Sequence, residues 1–182
     1  MAIIEKNDVV FAAIDFQEKL LPAMKDPEAL ETTVIKLIKG IRSFRTIPVI
    51  VTQQYTKGLG PTTAPVAEAL GDFEPIDKTS FSALGQPAFT DALEATGRKT
   101  VLVCGIECHI CVLQTVVELI SRGYRVYVAQ DCVASRKESD SRCGLERMAA
   151  AGAVITTYES ILYELLREAK AENFKEISAI VK

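Results

Sequence analysis

The chain has 182 residues, 48% hydrophobic and 25% charged, proportions that suit one soluble globular domain over residues 1–182 and argue against a disordered chain. A net charge of −3 and a pI near 5.3 supply no basic surface for nucleic acid or an anionic membrane. No apolar run approaches the ~20 residues needed to span a bilayer, and Lys6 and Asp8 interrupt the short apolar start that a signal peptide would extend.

Residues 9–14 are almost continuously apolar and end at Asp15, the pattern of a buried parallel strand with its first polar residue at the carboxyl end. Asp26 and Pro27 form an N-cap and first-turn pair for a helix whose inner face carries Leu30, Val34, Leu37, Ile38 and Ile41. Residues 47–51 predict a second strand. The stretch 52–62 after it, with Gly58, Gly60 and Pro61, predicts a shaped loop of the kind that lines sites. A short strand over 74–77 leads into Lys78, Thr79, Ser80, Phe81 and Ser82. Pro87 opens the next helix and Gly97 closes it.

Residues 100–104 form a short β-branched and aliphatic run, which Gly105 is expected to break. From Cys111 onward Val112, Thr115, Val116, Leu119 and Ile120 recur at helical spacing up to Gly123. Cys111 is therefore expected at or near a helix N-terminus, where free N–H groups and the helix dipole favour its thiolate. A strand over 124–129, a helix over 139–151 and a last strand over 153–156 follow. Thr156 and Glu159 have capping-box spacing for a terminal helix. Phe174, Ile177 and Ile180 continue an apolar stripe that must be buried against the domain or a second copy, which points to a homo-oligomer.

The alternation of strands and helices implies a three-layer α/β/α domain, doubly wound around a mostly parallel sheet. Such a fold brings Asp15, the 52–62 loop, Lys78 and Cys111 to one rim. A thiol nucleophile, a carboxylate to carry its proton and an ammonium to hold both anions make a plausible catalytic set. His109, the single histidine, lies two residues from Cys111 and is not expected to face it. The five cysteines, with no leader ahead of them, read as reduced thiols of a cytoplasmic protein.

Three segments carry a resemblance to a known family: Ala13-Ile14-Asp15-Phe16-Gln17, Lys78-Thr79-Ser80-Phe81-Ser82 and Gly105-Ile106-Glu107-Cys108-His109-Ile110-Cys111-Val112. In order and approximate spacing they are similar to the motifs of the isochorismatase-like cysteine hydrolases. That resemblance implies a six-stranded sheet of order 3-2-1-4-5-6 and an Asp15–Lys78–Cys111 triad. It also implies a thioester mechanism on small amides or related carbonyl compounds, and no cofactor. A cis Ile106–Glu107 peptide and an oxyanion hole made by the N–H groups of Glu107 and Cys111 are implied as well. Zinc-binding members carry Asp-x-His after the second strand, where this chain has Thr52, Gln53 and Gln54, so no metal is expected. Phe16, Gln17, Gln53, Gln54, Tyr55 and Phe81 are the candidate substrate-binding residues. Members that hydrolyse isochorismate lack the nucleophilic cysteine, which sets this chain apart from them.

Two other readings compete. Cys108 and Cys111 have C-x-x-C spacing, which suits dithiol exchange, although no second pair exists to complete a zinc site. The chain could also be a non-catalytic scaffold of the same fold, since fold alone does not establish activity.

Overall fold

The computed structural model describes residues 3–182. Its strands are β1 (Val9–Ile14), β2 (Val49–Gln54), β3 (Ile76–Lys78), β4 (Thr100–Ile106), β5 (Arg125–Ala134) and β6 (Val154–Thr156). Every pairing is parallel, and the six strands lie in the order β3-β2-β1-β4-β5-β6. The chain therefore starts at the sheet centre, winds outward to β3, then returns beside β1 and winds the other way. The β1–β4 junction is the topological switch point, where the carboxyl ends of open sheets form a crevice.

Pleating divides the core. Val9, Phe11 and Ala13 of β1, with Leu102, Cys104 and Ile106 of β4, face one layer. That layer contains α1 (Pro27–Ser43), α3 (Ala64–Leu70), α7 (Tyr158–Leu166) and α8 (Phe174–Val181). Val10, Ala12, Ile14, Val101 and Val103 face the other, which holds α4 (Pro87–Ala95), α5 (Leu113–Ser121) and α6 (Glu138–Ala151). A single turn of helix, α2 (Thr56–Leu59), interrupts the loop after β2. Among the described residues no helix is long and apolar enough to cross a membrane.

Several boundaries differ from the sequence reading, each for a local reason. Gly105 does not break β4. The strand passes through it at φ +153°, and a Cβ there would lie 2.5 Å from Ile14 Cβ and 2.6 Å from its carbonyl oxygen. Glycine is needed for close approach to β1. Strand β5 runs five residues beyond Ala129. Between paired positions β4 advances from Val103 to Gly105 while β5 advances from Val128 to Val133, so the excess bulges out and carries Asp131. That carboxylate then accepts the Tyr158 N–H at 2.9 Å at the start of α7. The side-chain cap of α7 is Thr157, which accepts from Ser160 N, one residue later than the capping-box spacing suggested. Asp26 adopts a left-handed conformation and pairs with Lys25 at 3.0 Å instead of capping α1 with its side chain.

The apolar stripe of α8 is turned onto its own domain. Ile177 is fully buried, with Phe174 and Ile180 packed against the α1 layer, so this stripe supplies no argument for self-association. Ile177→Ala should lower the unfolding free energy by about 2–4 kcal/mol, read as a reduced urea midpoint. A change below about 0.5 kcal/mol would mean that α8 is a peripheral attachment.

Candidate active site

Asp15 directly follows β1, held left-handed at φ 59° with its N–H donating to Thr52 O at 3.1 Å. Its carboxylate is sealed from solvent. Thr52 Oγ1 donates to Oδ1 at 2.7 Å, and Lys78 Nζ donates to Oδ2 at 2.7 Å. Lys78 closes β3, and its ammonium also meets Gln54 Oε1 at 2.7 Å, Phe81 O at 3.2 Å and Ser80 O at 3.3 Å. Side chains of both partners have 0% exposure. An ion pair so deeply buried persists only where further hydrogen bonds offset the lost hydration, as they do here. The donors of the ammonium are all committed within the protein.

Cys111 lies in a π-helical turn, Cys108–Val112, between β4 and α5. The sequence suggested a regular helix start at this point. Instead Glu107 O receives both Ile110 N at 3.1 Å and Val112 N at 3.2 Å, and α5 begins at Leu113. Thr115 ties this turn to the lysine loop: its hydroxyl donates to Cys111 O at 2.7 Å and accepts Ala83 N at 2.9 Å. Ser82 Oγ reinforces the tie by donating to Glu118 Oε2 at 2.9 Å. The Ile106–Glu107 peptide is cis, as the resemblance implied.

Cys111 is only 5% exposed and lies within electrostatic reach of both Asp15 and Lys78. Burial pushes its thiol up to about 12, the Asp15 charge adds to that rise, and Lys78 opposes it. The expectation of a favoured thiolate is therefore corrected: desolvation and the neighbouring carboxylate outweigh the lysine. These influences favour a neutral thiol beside the Asp15 carboxylate.

The remaining candidates separate by environment. Phe16 is buried in the core of the α1 layer. The Gln17 amide spans two loops, donating to Gln54 O at 3.0 Å and Gly60 O at 2.7 Å and accepting Gln54 N at 2.6 Å. Gln53 is tied to Thr62 and Thr56, and Gln54 to Lys78 and Thr79 O. These glutamines build the loop that holds the ion pair. Tyr55 and Phe81 are 52% and 54% exposed.

Cys108 is directed at α6. Its Sγ lies 3.5 Å from Ser141 O, and a Cβ on Gly144 would approach it to 3.1 Å, so α6 covers this thiol. His109 also faces outward, its Nδ1 2.8 Å from Ser135 Oγ and its Nε2 3.9 Å from Asp140. Among the described residues no three His, Cys, Asp or Glu side chains group as metal ligands. Sequence reasoning missed the bracing hydroxyls of Thr52 and Thr115, and the ion pair between Glu107 and Arg136 Nε at 3.0 Å. No spacing rule links such distant positions.

Residues 9–160 match the isochorismatase domain. The chain is 37% identical over 173 residues to isochorismatase domain-containing protein 1 of Salmo salar, covering 95% of this chain and 60% of that one. It thus spans about 60% of the length of that relative. Among solved structures, the MAR1 ribonuclease of Caenorhabditis elegans superposes with a TM-score of 0.92 at 37% identity, covering 99% of this chain and 92% of that one. YcaC of Pseudomonas aeruginosa, solved with hexane-2,5-diol and covalent acrylamide, gives a TM-score of 0.92 at 26% identity over 98% of this chain and 89% of that one.

The thiol environment sets a clear expectation. Iodoacetamide labelling of Cys111 should keep climbing through the alkaline range, because the reactive thiolate gains about tenfold per pH unit below the pKa. Asp15→Asn removes an influence that raises this pKa, so at pH 8 it should label Cys111 faster than the wild type does. A labelling plateau near pH 7, or slower labelling of Asp15→Asn, would contradict the assignment.

Proposed function

The chain belongs to the isochorismatase family, and we propose that it is a metal-free cysteine hydrolase acting on a small amide or related carbonyl compound. The observation that carries this reading is the convergence of the buried Cys111 thiol on the hydrogen-bonded pair of the Asp15 carboxylate and the Lys78 ammonium. Asp15 accepts the Cys111 proton as Sγ bonds to the substrate carbonyl carbon. The N–H groups of Glu107 and Cys111 receive the oxygen as it gains charge. The C–N bond then breaks, with Asp15 returning the proton to the leaving nitrogen and a thioester remaining on Cys111. Water gives a proton to Asp15 and its oxygen to the acyl carbon. The C–S bond breaks, the acid leaves, and the thiol is restored by the same proton.

A thiol that is neutral at rest suits this sequence, since charge develops only when a substrate carbonyl is present to share it. Lys78 stabilises the anion without contacting the substrate, because its donors are already committed. Tyr55 and Phe81, exposed at the loop ends beside the lysine, form the walls we assign to the substrate. They also offer apolar surface for a second copy of the chain, consistent with a homo-oligomer. The five unpaired cysteines suit a reducing compartment, and we assign the protein to the cytoplasm.

Other readings fare worse. Dithiol exchange needs Cys108 and Cys111 to face one another, whereas Cys108 is directed at α6. The C. elegans relative is named a ribonuclease, but an acidic chain with a triad this enclosed favours a small carbonyl substrate over an RNA strand.

Cys111→Ala should reduce amide hydrolysis by about a thousandfold or more, while Cys108→Ser keeps most of it. Mass spectrometry of an acid-quenched reaction should find the acyl group on the Cys111 peptide, and activity should persist after treatment with EDTA. Equal loss in the two cysteine variants with no acyl adduct would defeat the hydrolase reading.

A further inference from the structure

The pairing of β4 with β5 aligns Ile106 with Ala134, so Glu107 and Arg136 leave the sheet side by side at its carboxyl rim. Glu107 is the residue whose N–H we assigned to the reacting oxygen. Its own carboxylate is largely buried and accepts both the backbone N–H of Arg136 at 3.2 Å and its Nε at 3.0 Å, through the same oxygen. The arginine is further anchored by its neighbour. Ser135 is fully buried, its hydroxyl 2.8 Å from His109 Nδ1 and its carbonyl accepting Lys25 N at 3.0 Å.

This anchoring uses only one edge of the guanidinium. The side chain of Arg136 is 61% exposed, and among the described residues neither Nη has a protein acceptor. Two other cations of this region are already engaged. Lys78 is saturated within the triad, and Lys25 is paired with Asp26. Arg136 is thus a pre-oriented guanidinium beside the proposed oxyanion residue, with two parallel N–H donors free. That geometry matches the two oxygens of a carboxylate, which a fork of donors holds better than a point charge does.

Building on the hydrolase reading, we propose that Arg136 is the specificity residue of this site, and that the substrate is a small amide carrying a carboxylate. The carboxylate docks on the Nη edge of Arg136, and the amide carbonyl then faces Cys111. Glu107 acts as the positioning residue that aims the guanidinium. Its charge is offset by the same arginine, so an anionic substrate is not repelled as it enters.

The test compares reagents and substrates that differ only in charge. Cys111 is labelled with iodoacetate and, separately, with iodoacetamide, each read on the Cys111 peptide by mass spectrometry. The same proteins are assayed on succinamate and on butyramide. Arg136→Gln should lower the iodoacetate-to-iodoacetamide rate ratio by roughly 10- to 100-fold, the worth of a charge-assisted hydrogen bond, with Arg136→Lys falling between. The kcat/KM ratio for succinamate over butyramide should fall in parallel, mainly through KM. An arginine that only braces Glu107 would slow both reagents alike. An unchanged labelling ratio in both variants overturns the proposal, even where hydrolysis is intact. A shifted labelling ratio with no hydrolysis of either amide supports the carboxylate subsite and counts instead against the hydrolase reading.

Discussion

The buried pair of Asp15 and Lys78 is the constraint on which the rest of the site depends. Two charges with no solvent access are costly to keep, and removing one partner from such a pair typically costs about 3–5 kcal/mol. The fold meets that cost with groups from separate elements: Thr52 and Gln54 from β2, and the carbonyls of Ser80 and Phe81 beyond β3. Each of these groups is fixed only when β1, β2 and β3 are in register, so the ion pair forms only with the assembled sheet. The glutamine network around residues 17, 53 and 54 then secures the loop over it. On the proposed mechanism, a catalytic requirement and a folding requirement coincide in the same few atoms.

The cysteine is brought to this pair by a different device. Gly105 lets β4 approach β1 closely, and the π-turn after Glu107 swings Cys111 back toward the ion pair. Thr115 links that turn to the lysine loop through one hydroxyl that both donates and accepts. Cys111 and Lys78 are therefore spaced by a short mechanical path through α5 rather than by the sheet alone. On the proposed mechanism, a thiol pushed up by burial can still serve as a nucleophile, because the carboxylate and the ammonium are already in place when a carbonyl arrives.

Much of this was visible in the chain. The continuous apolar run at residues 9–14 marks β1 as a strand buried on both faces, and strand–helix alternation together with the family resemblance led to the strand order observed. Of the proposed triad, Asp15 stands out as the first polar residue past an apolar run, whereas Lys78 and Cys111 were singled out by their expected places at strand ends and by the family resemblance. What could not be read depends on distances between remote residues. The continuation of β4 through Gly105 depends on a neighbour, Ile14, some ninety positions away in sequence. The extra length of β5 depends on a bulge that satisfies α7. The thiol environment was misjudged because a helix start is visible locally, whereas desolvation is a property of the whole packed layer. Phe16 and the glutamines carry the chemistry expected of pocket residues, yet packing and backbone hydrogen bonds claim them first.

The direction in which Cys108 faces has a consequence for how the protein ages. A cysteine oxidised to the sulfenic acid is usually rescued when a second thiol condenses with it to a disulfide, which reductants then reopen. Cys108, the nearest thiol in sequence, is packed against Ser141 and Gly144, and Cys104 and Cys132 lie in the other core layer. Cys143 opens to solvent on α6. Sulfenylated Cys111 thus has no resolving partner within its own turn, and its recovery falls to small thiols that can diffuse into the crevice. Enclosure slows oxidation, because peroxide must first reach a neutral, buried sulfur. It equally slows repair, because a small thiol must reach the same buried sulfur before the site is restored.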